Sequence, residues 1–186
     1  MFLAIFVGGR GLRMGGVQKG LLRAPGSDET LIERLTRVGR QAGLEPLLVG
    51  AGELGAAAAG LPRVFDVEPR VGPISGLRAA LEYAGDVQVI AVGCDMPHVS
   101  APLLARVARE SPDAVVLAPR DAETGKWQPL CTRYDSPRVR PVLARAMAAG
   151  ARSFQAVFRE LSVVELAVSE MERMELGDWD KPEDIR

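Results

Sequence analysis

Histidine and cysteine are scarce in this sequence of 186 residues. It has one histidine, His98, and two cysteines, Cys94 and Cys131. A single histidine excludes a histidine-rich metal site and argues against a Ser-His-Asp hydrolase, which uses histidine as its base. The two cysteines stand far apart and match no metal-ligand spacing. They are most simply reduced thiols, and we therefore expect a cytoplasmic protein.

Long apolar runs and an excess of charge of one sign are also missing. The longest apolar run is Met1–Val7, far short of the roughly 20 residues that span a bilayer, and it lacks the charged flank and cleavage site of a signal peptide. We therefore expect no membrane segment. The 23 basic and 24 acidic side chains give a formal net charge of −1, which argues against binding of nucleic acid through bulk charge.

Apolar residues are plentiful, at 47% of the chain, and the length fits one domain over residues 1–186. Apolar runs alternate with longer amphipathic stretches, which is typical of an α/β fold with a mostly parallel sheet.

The predicted strands are Phe2–Val7, Pro46–Val49, Arg63–Phe65, Val87–Val92, Ala114–Leu117 and Leu130–Arg133. The predicted helices are Thr30–Ala42, Glu53–Ala59, Ile74–Tyr83, Ala101–Glu110, Pro137–Ala149 and Phe154–Arg159. The polar segment Ala118–Gln128 predicts a hairpin or loop that interrupts the alternation.

The loop after the first predicted strand carries the strongest functional pattern. Residues Gly8–Lys19 include five glycines, and without Cβ atoms these let backbone N–H groups approach an anion. Arg10, Arg13 and Lys19 add three cations, which suits a triphosphate. The loop matches neither the P-loop nor the dinucleotide-binding pattern. We interpret it as a phosphate-binding loop; the alternative is a flexible turn with solvated basic residues.

Three further loops each have a functional and a structural interpretation. Asp95 follows a strongly apolar strand and can bind Mg²⁺, which takes one or two carboxylates plus substrate phosphates, or it can be a turn residue before the next helix. Gly72-Pro73 can present backbone groups to a base or sugar, or simply begin a helix. Asp178 and Asp180 share one side of an extended segment and can join Asp95 around a metal, or they lie in a solvated tail.

Taken together, these loops resemble the molybdenum cofactor guanylyltransferase family. Five motifs carry the resemblance in chain order: Val7–Leu22, Asp66 with Gly72–Gly76, Cys94–Pro97, Gln128–Leu130 and Asp178–Asp184. The resemblance implies a Rossmann-like nucleotidyltransferase fold with three layers around a mostly parallel central sheet. It also implies transfer of GMP from GTP to molybdopterin, with release of pyrophosphate and with Mg²⁺ as cofactor. Other cofactor-biosynthesis proteins and molybdoenzyme chaperones are candidate partners.

The resemblance also implies roles for individual residues. Lys19, Arg13 and Asp95 are the implied catalytic residues, with Lys19 and Arg13 facing phosphate. Asp95 is the implied Mg²⁺ ligand, and Asp178 and Asp180 are further candidates. The residues implied in nucleotide binding are Phe6, Val7, Gly8, Gly9, Lys19, Asp66, Gly72, Pro73 and Asp95.

The chain departs from the family pattern at several positions. Gln18 replaces an acid that often precedes the lysine, Gly50 stands where an asparagine commonly helps to hold the nucleotide, and Asp178 and Asp180 replace a pair of asparagines. Two alternatives therefore stay open. One is a related nucleotidyltransferase that uses CTP or a sugar-phosphate acceptor. The other is a non-catalytic module that binds nucleotide or pterin.

Overall fold

Seven strands form one sheet in the computed structural model, which describes residues 1–7, 18–52, 55, 58–66, 72–179 and 184. The order across the sheet is β3-β2-β1-β4-β6-β5-β7. Neighbouring strands are parallel except at β6, which is antiparallel to both β4 and β5. The strands are β1 (Phe2–Phe6), β2 (Glu45–Val49), β3 (Arg63–Val64), β4 (Val89–Gly93), β5 (Val116–Ala118), β6 (Thr132–Tyr134) and β7 (Val163–Glu165).

Helices cover both faces of the sheet, which confirms the three-layer α/β prediction. The helices are α1 (Leu31–Gln41), α2 (Pro73–Ala84), α3 (Ala101–Arg109), α4 (Ser136–Ala148), α5 (Phe154–Phe158) and α6 (Glu170–Glu175). Apolar side chains of α1 and α3 form one core with one face of the sheet, and those of α2, α4 and α5 form a second core with the opposite face. Strands such as β4, buried along their whole length, read as continuous apolar runs for this reason.

Local capping residues set the helix ends. Thr30 accepts a hydrogen bond from the backbone N–H of Glu33, and the Glu33 side chain accepts one from the backbone of Thr30, a reciprocal capping box at the start of α1. The Ser100 side chain caps α3 in the predicted way. Gly43 and Gly150 follow α1 and α4 with φ of +78° and +91°, a backbone conformation that favours glycine at a helix C-terminus.

Several element boundaries differ from the sequence prediction. Strand β7 and helix α6 were not predicted, and the predicted helix Glu53–Ala59 falls largely outside the described residues. Strand β6 begins at Thr132 rather than Leu130 because Cys131 has a φ of +58°. A left-handed residue of this kind interrupts the extended backbone, so regular pairing starts only after it.

The strand order places a crevice beside β1 and β4. The chain passes from β1 to β2 and β3 on one side, and then crosses to β4 on the other side of β1. In open α/β sheets, ligands bind at the carboxyl ends of strands where such a reversal occurs. Within the part of the chain that the structure describes, no helix is long and apolar enough to cross a membrane.

Candidate active site

An ion pair joins two chain segments at this crevice. Lys19 Nζ lies 2.9 Å from Asp95 Oδ2, and the two side chains are 17% and 22% exposed. Lys19 begins a short 3-10 helix, Lys19–Leu21, that precedes α1, whereas Asp95 follows the end of β4. The structure therefore brings together two of the three residues that the sequence analysis named as catalytic.

Close packing holds the 3-10 helix in place. Gly20 is buried, and a Cβ at this position would lie 2.6 Å from Ile32 Cδ1 and 3.6 Å from Cys94 Cβ. A larger residue at this position would have to displace the Ile32 side chain of α1, whereas the distance to Cys94 is an ordinary van der Waals contact. The Lys19 side chain consequently starts from a backbone position fixed on both sides.

The carboxylate of Asp95 packs against a second glycine, Gly93. A Cβ at Gly93 would lie 2.5 Å from Asp95 Oδ1 and 3.1 Å from Leu130 Cδ1. The cap of α3 is Ser100, not Asp95, so the interpretation of Asp95 as a turn residue that only begins this helix is not needed to explain the fold. Its side chain is instead directed to Lys19.

A second cluster lies at the carboxyl ends of β1 and β3. A Cβ at Gly76, in α2, would lie 3.0 Å from Phe6 Cε1 and 3.1 Å from Asp66 Oδ1. Phe6 and Asp66 are both partly exposed there, and Val7 is buried at the end of β1. Three positions that the resemblance assigned to the nucleotide thus meet at one edge of the sheet.

The loop after β2 is held by an arginine rather than by an asparagine at position 50. Arg63 donates from Nε to the Gly50 carbonyl oxygen at 2.8 Å and from Nη2 to the Gly52 carbonyl oxygen at 2.6 Å. The guanidinium carbon of Arg63 also lies 4.9 Å from the centre of the exposed Phe65 ring. Gly50 has a φ of +107°, so a side chain here would strain the backbone. Arg63 therefore organises this loop in the absence of the asparagine.

Gly72 and Pro73 form the start of α2. Gly72 is the N-cap with a φ of +88°, and Pro73 occupies the first turn, where its missing N–H costs no helical hydrogen bond. Both residues are exposed. They lie one turn before Gly76, the residue that faces Phe6 and Asp66.

The C-terminal segment lies against the crevice, which contradicts the interpretation of a solvated tail for its described part. Trp179 is 5% exposed, and its backbone N–H donates to the Asp95 carbonyl oxygen at 2.9 Å. Asp178 beside it is exposed. Alternation along an extended segment explains why the indole is buried while the neighbouring carboxylate is not.

Four of the predicted site residues lie outside the described residues: Gly8, Gly9, Arg13 and Asp180. Among the residues that the structure does describe, no group of three or more His, Cys, Asp or Glu side chains is arranged to hold a metal ion. Cys94 is no nucleophile candidate, because burial and then the charge of Asp95 raise the pKa of its thiol to about 12.

Three residues with evident roles in this geometry were missed in the sequence. Gly93 supports Asp95, Arg63 holds the loop after β2, and Trp179 fixes the C-terminal segment. A tryptophan inside an otherwise acidic stretch was a usable signal, because so large an apolar side chain is usually buried. The partners of Arg63 and Gly93 depend on the fold, and the local sequence does not reveal them.

Comparison with known proteins identifies the family. Residues 3–165 match the model of the MobA-like NTP transferase domain. The molybdenum cofactor guanylyltransferase of Pseudomonas fluorescens (strain SBW25) is 36% identical over 163 residues, which cover 86% of this chain and 79% of that protein.

Two solved structures have the same fold. Molybdopterin-guanine dinucleotide biosynthesis protein A from Archaeoglobus fulgidus gives a TM-score of 0.79 at 25% identity, covering 99% of this chain and 94% of that one. The 2-C-methyl-D-erythritol 4-phosphate cytidylyltransferase of Thermus thermophilus gives 0.69 at 18% identity, covering 97% and 93%; this likeness shows the fold alone. By its sequence, its sheet topology and its relatives, the chain belongs to the molybdenum cofactor guanylyltransferase family and is a nucleotidyltransferase.

Proposed function

We propose that this protein transfers GMP from GTP to molybdopterin and releases pyrophosphate. The observation that carries the proposal is the Lys19–Asp95 pair, 2.9 Å apart at the crevice beside β1 and β4, in a chain of the guanylyltransferase family. A cation and a carboxylate at this place provide one group for phosphate and one for a metal ion. A cytoplasmic location and protein partners among cofactor-biosynthesis proteins or molybdoenzyme chaperones stay predictions.

The two residue clusters divide the nucleotide between them. The base and ribose fit the edge formed by Phe6, Val7 and Asp66, with Gly72 and Pro73 beside it. The glycine-rich sequence that includes Gly8, Gly9 and Arg13 stands between β1 and Lys19 in the chain. We propose that Arg13 and Lys19 bind the triphosphate, because charged donors bind phosphate oxygens strongly.

Asp95 offers one carboxylate, which suits Mg²⁺ because its other ligands can be substrate phosphates and water. A metal ion held by protein alone would need more protein ligands. Mg²⁺ typically takes one or two carboxylates, substrate phosphates and water, and the described residues offer a partly exposed Asp95 without a cluster of three acids or imidazoles. We propose Asp95 as its ligand, with Asp178 and Asp180 as further candidates. Bound there, Mg²⁺ would neutralise charge on the phosphate oxygens.

The protein has little covalent chemistry to perform. The acceptor's terminal phosphate has a second pKa near 6, so it is largely dianionic at neutral pH and needs no general base. One of its oxygens attacks the α-phosphorus of GTP in line; the new P–O bond forms as the bond to the bridging oxygen breaks, and pyrophosphate leaves with that electron pair. Lys19 exchanges the carboxylate of Asp95 for a phosphate oxygen, since both are anionic acceptors, and with Arg13 it stabilises the charge of the leaving group.

The test is incubation of the protein with molybdopterin, Mg²⁺ and radiolabelled GTP, followed by detection of a guanylylated pterin and of pyrophosphate. A parallel panel with CTP, ATP and UTP, and with sugar 1-phosphates as acceptors, covers the related nucleotidyltransferases. The proposal requires a labelled pterin product with GTP. Faster transfer from CTP, or transfer only to a sugar phosphate, would overturn it.

A further inference from the structure

We infer that Trp179 is a positioning residue that joins the two chain segments carrying Lys19 and Asp95. On the Asp95 side the connection is through the main chain: the Trp179 N–H donates to the Asp95 carbonyl oxygen at 2.9 Å. Through this bond the C-terminal segment, which is not part of the sheet, holds the turn that follows β4. The catalytic part of the inference rests on the proposed function, whereas the structural part rests on the contacts alone.

On the Lys19 side the connection is through the indole. The Trp179 side chain packs with Ala24, Leu31 and Leu22 in a small apolar cluster separate from the two main cores. Leu22 ends the 3-10 helix of Lys19, and its N–H donates to the Lys19 carbonyl oxygen at 3.0 Å. The indole and the residue that closes the turn of Lys19 therefore belong to one apolar cluster.

The chain before Trp179 is anchored independently, so its position is not set by the indole alone. Glu175 accepts a hydrogen bond from the backbone N–H of Ser100 at 3.1 Å, and Glu172 pairs with Arg106 at 2.6 Å. Leu176 is buried in the core that also contains side chains of α1 and α3. The segment thus runs from α3 to the start of α1 and reaches the crevice from a fixed direction.

This arrangement explains how a partly exposed ion pair keeps a defined geometry. Lys19 and Asp95 are 76 positions apart, and each lies on a short segment outside regular strands and α-helices. Exposed ion pairs by themselves hold side chains weakly. Trp179 bonds to the main chain of Asp95 and shares an apolar cluster with Leu22, which follows the turn of Lys19, so its loss removes a connection between the two segments that adds to the direct packing of Gly20 beside Cys94.

Trp179→Ala tests the inference, with Val157→Ala as a matched control. Val157 is buried in α5 within the opposite core, so its truncation also removes apolar packing but does not touch Lys19 or Asp95. We expect Trp179→Ala to lower kcat at least tenfold at a temperature well below its Tm, and Trp179→Phe to recover most of the loss. Val157→Ala should lower Tm while kcat stays within twofold of wild type.

A double-mutant cycle read by GTP binding separates positioning from simple packing. Calorimetric Kd values are measured for wild type, Trp179→Ala, Lys19→Ala and the double variant. If Trp179 acts through Lys19, Trp179→Ala raises the Kd for GTP at least fivefold in the wild-type background and less than twofold in the Lys19→Ala background. Trp179→Leu replaces Trp179→Ala throughout if the latter does not fold, with at least a threefold effect expected.

Equal effects in both backgrounds, or a Trp179 variant with wild-type kcat and Kd, would overturn the inference. Failure of the wild-type protein to bind GTP would instead contradict the proposed function. In that case the structural part is tested by proteolysis: Trp179→Ala should expose the chain near Leu22 to cleavage, and Val157→Ala should not.

Discussion

The carboxylate of Asp95 occupies the space beside Gly93 that a side chain would fill, with Oδ1 only 2.5 Å from where a Cβ would stand. Gly93→Ala should therefore displace the carboxylate and lower kcat at least tenfold, although the last residue of β4 keeps its strand pairing. Gly60→Ala is the control, because no described atom lies within 4 Å of a Cβ there. Steady-state kinetics of both variants check this. Unchanged activity in Gly93→Ala would show that the exact placement of Asp95 is not needed.

Lys19→Ala should reduce kcat/KM for GTP by at least tenfold. A hydrogen bond to a charged group contributes about 1.5–3 kcal/mol, and about 1.4 kcal/mol corresponds to a factor of ten. Tm should change little, because the ion pair with Asp95 is partly exposed. Lys126→Ala, in an exposed turn, serves as the control and should behave as wild type. Activity within twofold of wild type for Lys19→Ala would exclude a role at the phosphates.

Asp95→Asn should fold normally and lose Mg²⁺-dependent turnover, because an amide keeps the shape of the side chain but not its charge. A Mg²⁺ titration of turnover measures the effect. The matched control is Asp86→Asn, whose carboxylate is 91% exposed and pairs only at 3.4 Å with Arg140. Superimposable titration curves for Asp95→Asn and wild type would remove Asp95 from the metal site.

The C-terminal carboxylates give a graded prediction. Asp178→Ala combined with Asp180→Ala should raise the Mg²⁺ requirement and lower kcat, and asparagine at both positions should retain more activity, because amide oxygens can still bind metal-bound water. Trp179 stays in place in both variants so that the packing against Leu31 is kept. If the double alanine variant turns over like wild type at limiting Mg²⁺, these carboxylates do not belong to the site.

The two cysteines should resist alkylation in the folded protein. Burial raises the pKa of both the Cys94 and the Cys131 thiol to about 12, so about 0.01% of each is thiolate at pH 8. In the unfolded chain the thiols ionise near pH 8.5, so stability should fall as pH rises from there toward 12. Mass spectrometry after iodoacetamide treatment at pH 8 should find label only in denaturant. Rapid labelling of the native protein would contradict the burial.

Apolar periodicity was enough to predict six of the seven strands and the helices that cover the sheet; the short edge strand β7 (Val163–Glu165), which buries none of its residues, was missed. Most of the predicted elements bury an apolar run or stripe, such as Leu31, Leu35 and Val38 on α1. Helix α6 buries no residue and was missed. A capping box between Ser169 and Glu172 and the pairing of Glu172 with Arg106 hold it instead. The Ser-x-x-Glu spacing was the only local signal for it.

Long-range partners limit what the sequence can reveal about the site. The position of Asp95 after an apolar strand was predictable, but its contact with Lys19 depends on the packing of Gly20 against α1. Arg133 shows the same limit in the core. It is fully buried, and its guanidinium donates to the Val107 carbonyl oxygen at 2.9 Å, at the C-terminal end of α3. The helix dipole stabilises this charge. No local sequence pattern around Arg133 predicts its burial or its partner.

Because β6 runs against its neighbours, it begins where β4 ends: the Cys131 N–H donates to the Ala91 carbonyl oxygen, and Leu130 lies beside Gly93. The loop that enters β6 is closed on itself by the pairing of Arg120 with Trp127. Its length can therefore change without altering the register of the parallel strands β1 to β4.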